Sequence, residues 1–290
     1  MRIAESELII NPDGSIFHLN MKPYELASNV ILVGDPDRVK MISSYFEDIL
    51  FEGKNREFVW KTGLYKKRHF TVLSTGIGTD NIDIVLTEID ALVNVDFESR
   101  TIKKEKKSLN FVRIGTSGAL QENIPVDSWL ISEKAIGFDG LLNYYDGRNN
   151  VCDLEFEQNF TQSVNWNEKL PAPYVIDADK SLISKLISNK TIKGVTISAS
   201  GFYGPQGRVV RIPLAQPNLN NNISSFEHKG MKITNYEMEC SAIYGLSALL
   251  GHKAATICLI IANRLAGTFS KNYKSEMKKL VEHVLNSFDQ

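Results

Sequence analysis

Three short segments carry residues that could bind a phosphate and a sugar: 33–38, 111–118 and 235–239. In each of the first two, an apolar strand is predicted to lead into a glycine turn that carries an arginine, Arg38 or Arg113. Backbone N–H groups and guanidinium groups at such turns can converge on one tetrahedral anion. The third segment, Asn-Tyr-Glu-Met-Glu, adds carboxylates suited to sugar hydroxyls. These residue types therefore predict a phosphate and a ribosyl group as ligands.

The composition narrows the class of protein. The chain has 290 residues, of which 43% are hydrophobic, so it can bury a substantial core. Its net charge of −1, from 33 basic and 34 acidic residues, gives no overall field toward nucleic acid or a membrane surface. No signal peptide is evident, and no stretch reaches the roughly 20 apolar residues that a bilayer requires. We therefore predict a cytoplasmic protein with a small-molecule partner.

Strands alternate with helices along the chain, which predicts an α/β fold with a parallel or mixed sheet. The predicted strands are 30–33, 58–60, 70–74, 110–114, 129–136, 195–199 and 254–261, and the predicted helices are 36–46, 81–95, 238–250 and 273–288. The asparagine-rich run 218–222 is predicted to be a loop, and 143–173 to be an irregular surface stretch. With no repeat and no linker, residues 1–290 are predicted to form one domain.

The predicted turns would meet at one place. Ligands of open α/β sheets bind outside the carboxyl ends of the strands, where turns at Gly34, Gly76 and Gly115 are all predicted. Any single glycine turn is explained equally well as a tight loop. Two such turns, each with an arginine beside it, favour an anion site.

Eight motifs, taken in order, resemble the nucleoside phosphorylase family of the type built from identical one-domain α/β subunits, and within it the uridine phosphorylases. They are Phe17-His18-Leu19, 34–38, Asn55-Arg56-Glu57-Phe58, 74–78, 113–118, 201–208, 235–239 and Asn263-Arg264. The resemblance implies a single-domain three-layer α/β/α sandwich with a central twisted mixed sheet.

The resemblance also implies a phosphate subsite and a ribose subsite. The phosphate residues would be Gly34, Arg38, Arg113, Thr116 and, from a neighbouring subunit, Arg56. The ribose residues would be Glu239 on the 2′- and 3′-hydroxyls, Met238 beneath the sugar, the adjoining Glu237 and, from a neighbouring subunit, His18 at the 5′-hydroxyl. The alternative for both glutamates is that they complement the dipole at a helix start. His18 alone could equally be a surface or packed histidine.

Base recognition is assigned to the same family pattern: Phe202 against the base face, Gln206 and Arg208 on the polar edge of uracil, and Gly118 nearby. Arg264 would stabilise charge on the departing uracil, and it joins Arg38 and Arg113 as the predicted catalytic residues. Purine-cleaving relatives place an aspartate acid in the region of Asn263, and an asparagine cannot act as that acid. A polar surface turn is the alternative for Gln206 and Arg208.

The predicted enzyme is therefore a pentosyltransferase of nucleoside salvage, which converts uridine and phosphate into uracil and ribose 1-phosphate. Phosphate is the co-substrate, and no metal or other cofactor is predicted. A potassium site near Glu57 stays open, because Thr79-Asp80-Asn81 departs from the small residues of relatives there. Shared active sites imply a homo-oligomer, a hexamer built as a trimer of dimers. The alternatives are a purine nucleoside phosphorylase, a nucleosidase that uses water, and a nucleoside-binding protein without turnover.

Overall fold

A computed structural model describes residues 2–289 of the protein. The strands are β1 (Asn29–Val33), β2 (Asp48–Asn55), β3 (Phe58–Tyr65), β4 (Arg68–Ser74), β5 (Val95–Asp96), β6 (Thr101–Ile102), β7 (Asn110–Ala119), β8 (Trp129–Gly137), β9 (Tyr174–Asp177), β10 (Thr191–Ser198), β11 (Glu227–His228), β12 (Met231–Glu237), β13 (Lys253–Asn263) and β14 (Thr268–Phe269). The helices are α1 (Pro36–Ser43), α2 (Thr79–Asn94), α3 (Arg148–Val151), α4 (Leu154–Ser163), α5 (Lys180–Leu186), α6 (Leu219–Ser225), α7 (Cys240–Leu250) and α8 (Tyr273–Asn286). Short 3-10 helices cover Pro23–Glu25, Leu141–Tyr144, Gly204–Gln206 and Ser287–Asp289.

One twelve-stranded mixed sheet organises the molecule, in the order β11-β12-β10-β8-β13-β7-β1-β4-β3-β2, with β9 on β8 and β14 on β13. β12 also pairs with β7, so β7, β13, β8, β10 and β12 form a closed ring. β1 and β13 run parallel to β7, and β4 runs parallel to β1. The predicted α/β fold around a central mixed sheet is confirmed. The closure of one half into a ring is a feature that the strand pattern did not predict.

The local sequence explains how the first strand and helix form. β1 begins with Asn29 and continues with four buried branched apolar residues, as expected for a strand covered on both faces. Asp35 caps α1 by accepting a hydrogen bond from Asp37 N at 2.9 Å. Pro36 occupies the first turn of α1, where its missing N–H is harmless. The strand, turn and helix predicted around Gly34 are therefore confirmed.

The helices bury the apolar stripes that their spacing predicts. α2 buries Ile82, Val85 and Leu86, and α8 buries Met277, Leu280 and Val281, among other apolar residues. α7 begins at Cys240, two residues later than predicted, because Glu237 still belongs to β12. Between residues 2 and 289, none of the helices has the length and hydrophobicity to cross a membrane.

Three sequence predictions are wrong. The stretch 143–173 is not irregular throughout, because it contains α3 and α4, and α4 buries Phe156 and Phe160. The segment 113–118 is not a glycine turn, because β7 continues to Ala119 and pairs with β13 through Gly115 and Gly118. The asparagine-rich run is not a loop but lies in α6, where tertiary contacts outweigh local preference. In particular, Asn222 Nδ2 donates to the carbonyl of Val164 at 3.1 Å.

Candidate active site

The central crevice opens where β7 loses a neighbour. On the edge opposite β13, β7 pairs with β1 only as far as Arg113 and with β12 only from Gly118 onward. Arg38 enters this gap from α1 and donates from Nη1 to the carbonyl of Ile114 at 3.1 Å. The half-buried Thr116 lies in the same unpaired stretch. The predicted phosphate residues of α1 and β7 therefore share one crevice.

The loops after β1 and β4 close the same crevice. Gly34 and Gly76 approach so closely that a Cβ atom on Gly34 would lie 3.3 Å from the carbonyl oxygen of Gly76. Gly78, at the N-cap of α2, donates its N–H to Glu239 Oε1 at 2.8 Å. Backbone from the ends of β1 and β4, together with the Glu239 carboxylate after β12, therefore borders the predicted phosphate and ribose positions.

Arg113 is the electrostatic centre of the site. It is only 5% exposed, and its Nη2 forms an ion pair with Glu239 Oε2. Its Nη1 lies 3.4 Å from Glu237 Oε2. Burial lowers the pKa of Arg113, but Glu239 and Glu237 outweigh that effect and raise the pKa above its ordinary value. Arg113 is therefore a permanent buried cation between two carboxylates.

Gly115 makes room for this guanidinium. Because residues two apart on a strand share a face, a side chain at Gly115 would point at Arg113. A Cβ atom there would collide with Arg113 Nη1 and lie 2.9 Å from Cys258 Sγ. Burial raises the pKa of the Cys258 thiol to about 12, so this neighbour of Arg113 is neutral.

Arg38 adds a second positive charge to the crevice. Burial, followed by the charge of Arg113, lowers the pKa of Arg38. An anion bound between the two guanidinium groups would offset the repulsion that Arg38 experiences from Arg113. The arrangement suits phosphate, which offers several acceptor oxygens to both arginines.

The two glutamates play different structural parts. Glu237 accepts hydrogen bonds from Ser198 Oγ at 2.5 Å and from the backbone N–H groups of Glu239 and Cys240 at 2.9 and 3.0 Å. Burial raises the pKa of Glu237, while Arg113 acts in the opposite direction. Glu237 is thus the helix-start carboxylate that the alternative interpretation described, and its ribose contact stays a prediction. Glu239, with the half-buried Met238 before it, faces Gly78 and Arg113.

A separate cluster forms around the predicted base residues. The guanidinium of Arg208 lies 3.7 Å from the ring centroid of Phe202 and donates to Gln206 Oε1. Arg264 Nη1 donates to the backbone carbonyl of Gln206 at 2.7 Å. Arg264 Nη2 is buried and has no hydrogen-bond partner within residues 2–289. The structure therefore brings three of the predicted base residues together with the predicted catalytic Arg264, whose second terminal nitrogen is left to bind a ligand, while Gly118 lies in β7.

The base cluster carries uncompensated positive charge. Burial and the charge of Arg264 lower the pKa of Arg208 to about 10, and burial also lowers that of Arg264. In the part of the chain that the structure describes, neither guanidinium forms an ion pair with a carboxylate. Such a cluster favours a ligand with carbonyl oxygens or developing negative charge.

Asn263 does not belong to this cluster. Its Nδ2 donates to the carbonyls of Gln121 at 2.9 Å and Ile124 at 2.8 Å, and its Oδ1 accepts from Ala266 N at 3.0 Å. The side chain fastens the loop before β8 to the turn after β13. Arg264, rather than Asn263, contacts the base residues, and the interpretation of Asn263 as the position of a missing acid stays a prediction.

His18 and Arg56 lie together at the surface, and in the described part of the chain neither is hydrogen-bonded to the arginines of the crevice. Asn55 Nδ2 donates to the carbonyl of His18 at 2.9 Å, and Arg56 follows it at the exposed tip of the β2–β3 hairpin. His18 Nδ1 forms a hydrogen bond with Glu88 Oε1, and the two atoms lie 2.6 Å apart. Within the described residues, no hydrogen bond or ion pair links either residue to Arg38, Arg113 or Glu239.

Known proteins similar to this chain identify its family. The family model described as "Phosphorylase superfamily" matches residues 29–287. The chain belongs to this superfamily. A uridine phosphorylase from Thermococcus kodakarensis is 29% identical over 91% of this chain and 83% of its own length. The uridine phosphorylase of Escherichia coli is 30% identical over 86% of both chains.

A solved phosphorylase structure extends the match to three dimensions. The crystal structure of a Trypanosoma brucei nucleoside phosphorylase, titled as showing uridine phosphorylase activity, matches with a TM-score of 0.88 and 30% identity, over 97% of this chain and 98% of that one. The predicted membership of the nucleoside phosphorylase family is confirmed. Membership of this family makes the protein an enzyme of the pentosyltransferase type.

Beside the base cluster, the phosphorylase fold carries a cavity of about 690 Å³. Trp166 and Leu170 line one side and Leu214 and Leu219 another, while Arg208 is the predicted site residue in its wall. Residues of two separate segments, 143–173 and 213–229, therefore meet around this cavity.

Two structurally important residues of this phosphorylase, Ser198 and Asn220, escaped the sequence analysis, and the role of Gly115 was predicted wrongly. Asn220 Nδ2 donates to the carbonyl of Gln206 at 3.1 Å, and its Oδ1 accepts from Tyr236 Oη at 2.9 Å. Because Asn220 stands in an asparagine-rich run, nothing in its neighbours distinguishes it. For Gly115, the sequence did carry a usable signal, because a glycine two positions from Arg113 on the same strand leaves room for the arginine side chain.

Proposed function

We propose that this nucleoside phosphorylase cleaves uridine with inorganic phosphate and forms uracil and ribose 1-phosphate. The observation that carries the proposal is the direct contact of Arg113 with Glu239. It joins an anion-binding cation to a carboxylate suited to sugar hydroxyls, with Arg38 in the same crevice. A phosphate held there would lie beside the pentose that it attacks.

The chemistry follows from these positions. A phosphate oxygen forms a bond to C1′ of the ribose as the bond from C1′ to N1 of the base breaks, and the electron pair of that bond leaves with uracil. The phosphate dianion stabilises the positive charge that develops on the sugar. Glu239 orients the sugar, and the arginines hold the phosphate in line, so positioning supplies much of the rate.

The base cluster supports uracil as the leaving group. The unpartnered Arg264 Nη2 can donate to a uracil carbonyl, and the buried amide of Gln206 offers both donor and acceptor capacity to the base. The positive charge of Arg208 and Arg264 stabilises the anion that uracil becomes as it departs. The names of the uridine phosphorylase relatives point in the same direction.

A phosphate-dependence assay over four nucleosides tests this function. We expect the rate of uracil release from uridine to rise with phosphate concentration and to fall to background without phosphate. Cleavage of inosine and adenosine should be at least about ten-fold slower than cleavage of uridine. Thymidine measures tolerance for a 5-methyl group and deoxyribose. Equal or faster cleavage of inosine would contradict the choice of base. Activity unchanged by removal of phosphate would indicate a nucleosidase, and uridine binding without product would indicate a non-catalytic binder.

We also propose that the enzyme works as a homo-oligomer, a hexamer made of three dimers, in which each site borrows His18 and Arg56 from a neighbour. The exposed tip that carries Arg56 and the turn that carries His18 are fastened to each other through Asn55. The two residues can therefore enter a neighbouring crevice as one unit. An isologous dimer would complete both crevices at once.

Subunit complementation tests this sharing. Arg56→Ala and Arg113→Met are each expected to be nearly inactive as homo-oligomers. Mixing and reassembling them should restore activity at roughly a quarter of the sites, because some crevices then receive both arginines. Light scattering on each sample checks that the assembly is intact. A fully active monomer, or mixtures no more active than their parents, would contradict the shared site.

A further inference from the structure

Ser198 contacts Glu237, one of the two carboxylates beside Arg113. It is the last residue of β10, is fully buried, and does not itself contact the arginine in any hydrogen bond of the described chain. Its Oγ donates to Glu237 Oε1 at 2.5 Å and accepts from the backbone N–H of Ser241, in α7, at 2.8 Å. The hydroxyl thus connects β10, β12 and α7 at one point.

The direction of the Ser198 hydroxyl is set by its surroundings. Because Oγ accepts the N–H of Ser241, its single hydrogen is available for Glu237. Without that hydrogen, Glu237 Oε1 would keep only the N–H of Cys240 as a donor, at 3.0 Å. The carboxylate would then be held mainly through Oε2, the oxygen that lies 3.4 Å from Arg113.

We propose that Ser198 is a positioning residue for phosphate, acting through Glu237 on Arg113; this rests on the proposed phosphate site. Glu239 holds one terminal nitrogen of Arg113, and Glu237 lies beside the other. Two carboxylates at two nitrogens fix the plane of the guanidinium. Loosening Glu237 releases one of these contacts, so the guanidinium samples orientations that do not match a phosphate.

The ionisation of Glu237 gives a second consequence. Burial raises the pKa of Glu237, and the hydrogen bond from Ser198 acts against that rise. Removal of the hydroxyl therefore raises the pKa of Glu237 further. Protonated Glu237 no longer attracts Arg113, so the activity lost at acid pH should be lost at a higher pH in the variant.

The direct test is the Ser198→Ala variant. Its affinity for phosphate is measured by calorimetry in the absence of nucleoside, and its KM values are measured by steady-state kinetics. We expect a roughly ten-fold weaker phosphate Kd and a similar rise in the KM for phosphate, equal to about 1.4 kcal/mol. The KM for uridine should stay within about two-fold, and the acid limb of kcat/KM for phosphate should move to higher pH. Ser198→Thr, which keeps the hydroxyl, should restore most of the affinity.

Ser132→Ala is the matched control. Ser132 is also fully buried, and its hydroxyl bonds to Thr196 Oγ1 at 2.5 Å in a chain that ends on Asn235 rather than on Glu237. It should leave phosphate binding unchanged. An unchanged phosphate Kd in Ser198→Ala, an equal loss in Ser132→Ala, or an equal rise in both KM values would overturn the assignment. If Ser198→Ala does not fold, Ser198→Cys with its weaker donor replaces it.

The two measurements separate this inference from the proposed reaction. If the wild-type protein binds phosphate but cleaves no nucleoside, the reaction is wrong, and the ratio of phosphate Kd values still decides the role of Ser198. If the wild-type protein cleaves uridine while Ser198→Ala binds phosphate normally, only the role of Ser198 is wrong. If the wild-type protein binds no phosphate, both fail.

Discussion

Replacing Arg113 by methionine is expected to abolish phosphorolysis and to weaken the fold at the same time. The change leaves Glu237 and Glu239, each at most 4% exposed, without their shared cation. Breaking a buried ion pair on one side destabilises a protein by about 3–5 kcal/mol. Loss of the donor groups should also lower kcat/KM for phosphate by about 100- to 1,000-fold or more. Urea unfolding and initial-rate assays measure the two effects.

The loss of stability in Arg113→Met should depend on pH. Arg113 lowers the pKa of Glu237, so its removal raises that pKa further above the unfolded value. A carboxyl group whose pKa is raised in the folded state stabilises the fold at low pH, and this contribution is lost as pH rises through the folded pKa. The difference between wild type and variant should therefore grow from acid toward neutral pH. A constant difference would show that charge is not the cause.

Arg38→Met separates binding from folding in the same crevice. Arg38 is partly exposed and binds a backbone carbonyl rather than a buried carboxylate. We therefore expect weaker phosphate use with less than about 1 kcal/mol of lost stability, as is usual away from buried charges. An equal loss of stability in both variants would contradict the central role of the buried ion pair.

Gly115→Ala should displace Arg113 without removing it. The added methyl group would occupy the space of Arg113 Nη1 and crowd Cys258 Sγ. Either the guanidinium moves or the strand shifts, and a displacement of about 1 Å can reduce activity about 100-fold. Overpacking should also destabilise the fold by about 1–3 kcal/mol. Phosphate titration and urea unfolding measure these effects.

Gly118→Ala provides the control for Gly115→Ala, three positions along the same strand. A Cβ atom there would have no nonlocal contact closer than 3.9 Å, to the carbonyl oxygen of Ala262. We expect phosphate affinity within about two-fold of wild type, since the space is open. If both alanine variants lose phosphate affinity equally, strand flexibility rather than room for Arg113 would be the cause.

Elements with one dominant physical signal could be predicted from the sequence. The apolar run of β1, the Asp35-Pro36 start of α1 and the apolar stripe of α2 all form as expected. The crevice was also predictable in outline, because carboxyl ends of parallel strands meet at one edge. Arg38 and Arg113 do share it.

Features that depend on distant partners could not be predicted in the same way. Gly115 suggested a turn, yet it lies within β7. A glycine is needed there because any side chain would collide with the guanidinium of Arg113. Asn263 was interpreted as standing where purine-cleaving relatives place an acid, but its hydrogen bonds join two loops far apart in sequence. The ring closure through β12 and β7 depends on a pairing more than 100 residues apart, for which the local pattern carries no signal.

In the proposed site, the ion pair between Arg113 and Glu239 means that phosphate and the nucleoside do not bind independently. An anion that draws Arg113 toward itself releases Glu239 Oε2 to accept a hydroxyl, and a hydroxyl that engages Glu239 releases the guanidinium. Thermodynamic reciprocity then requires each ligand to change the affinity of the other by the same factor. The proposed site therefore predicts that phosphate and nucleoside bind cooperatively within a single subunit.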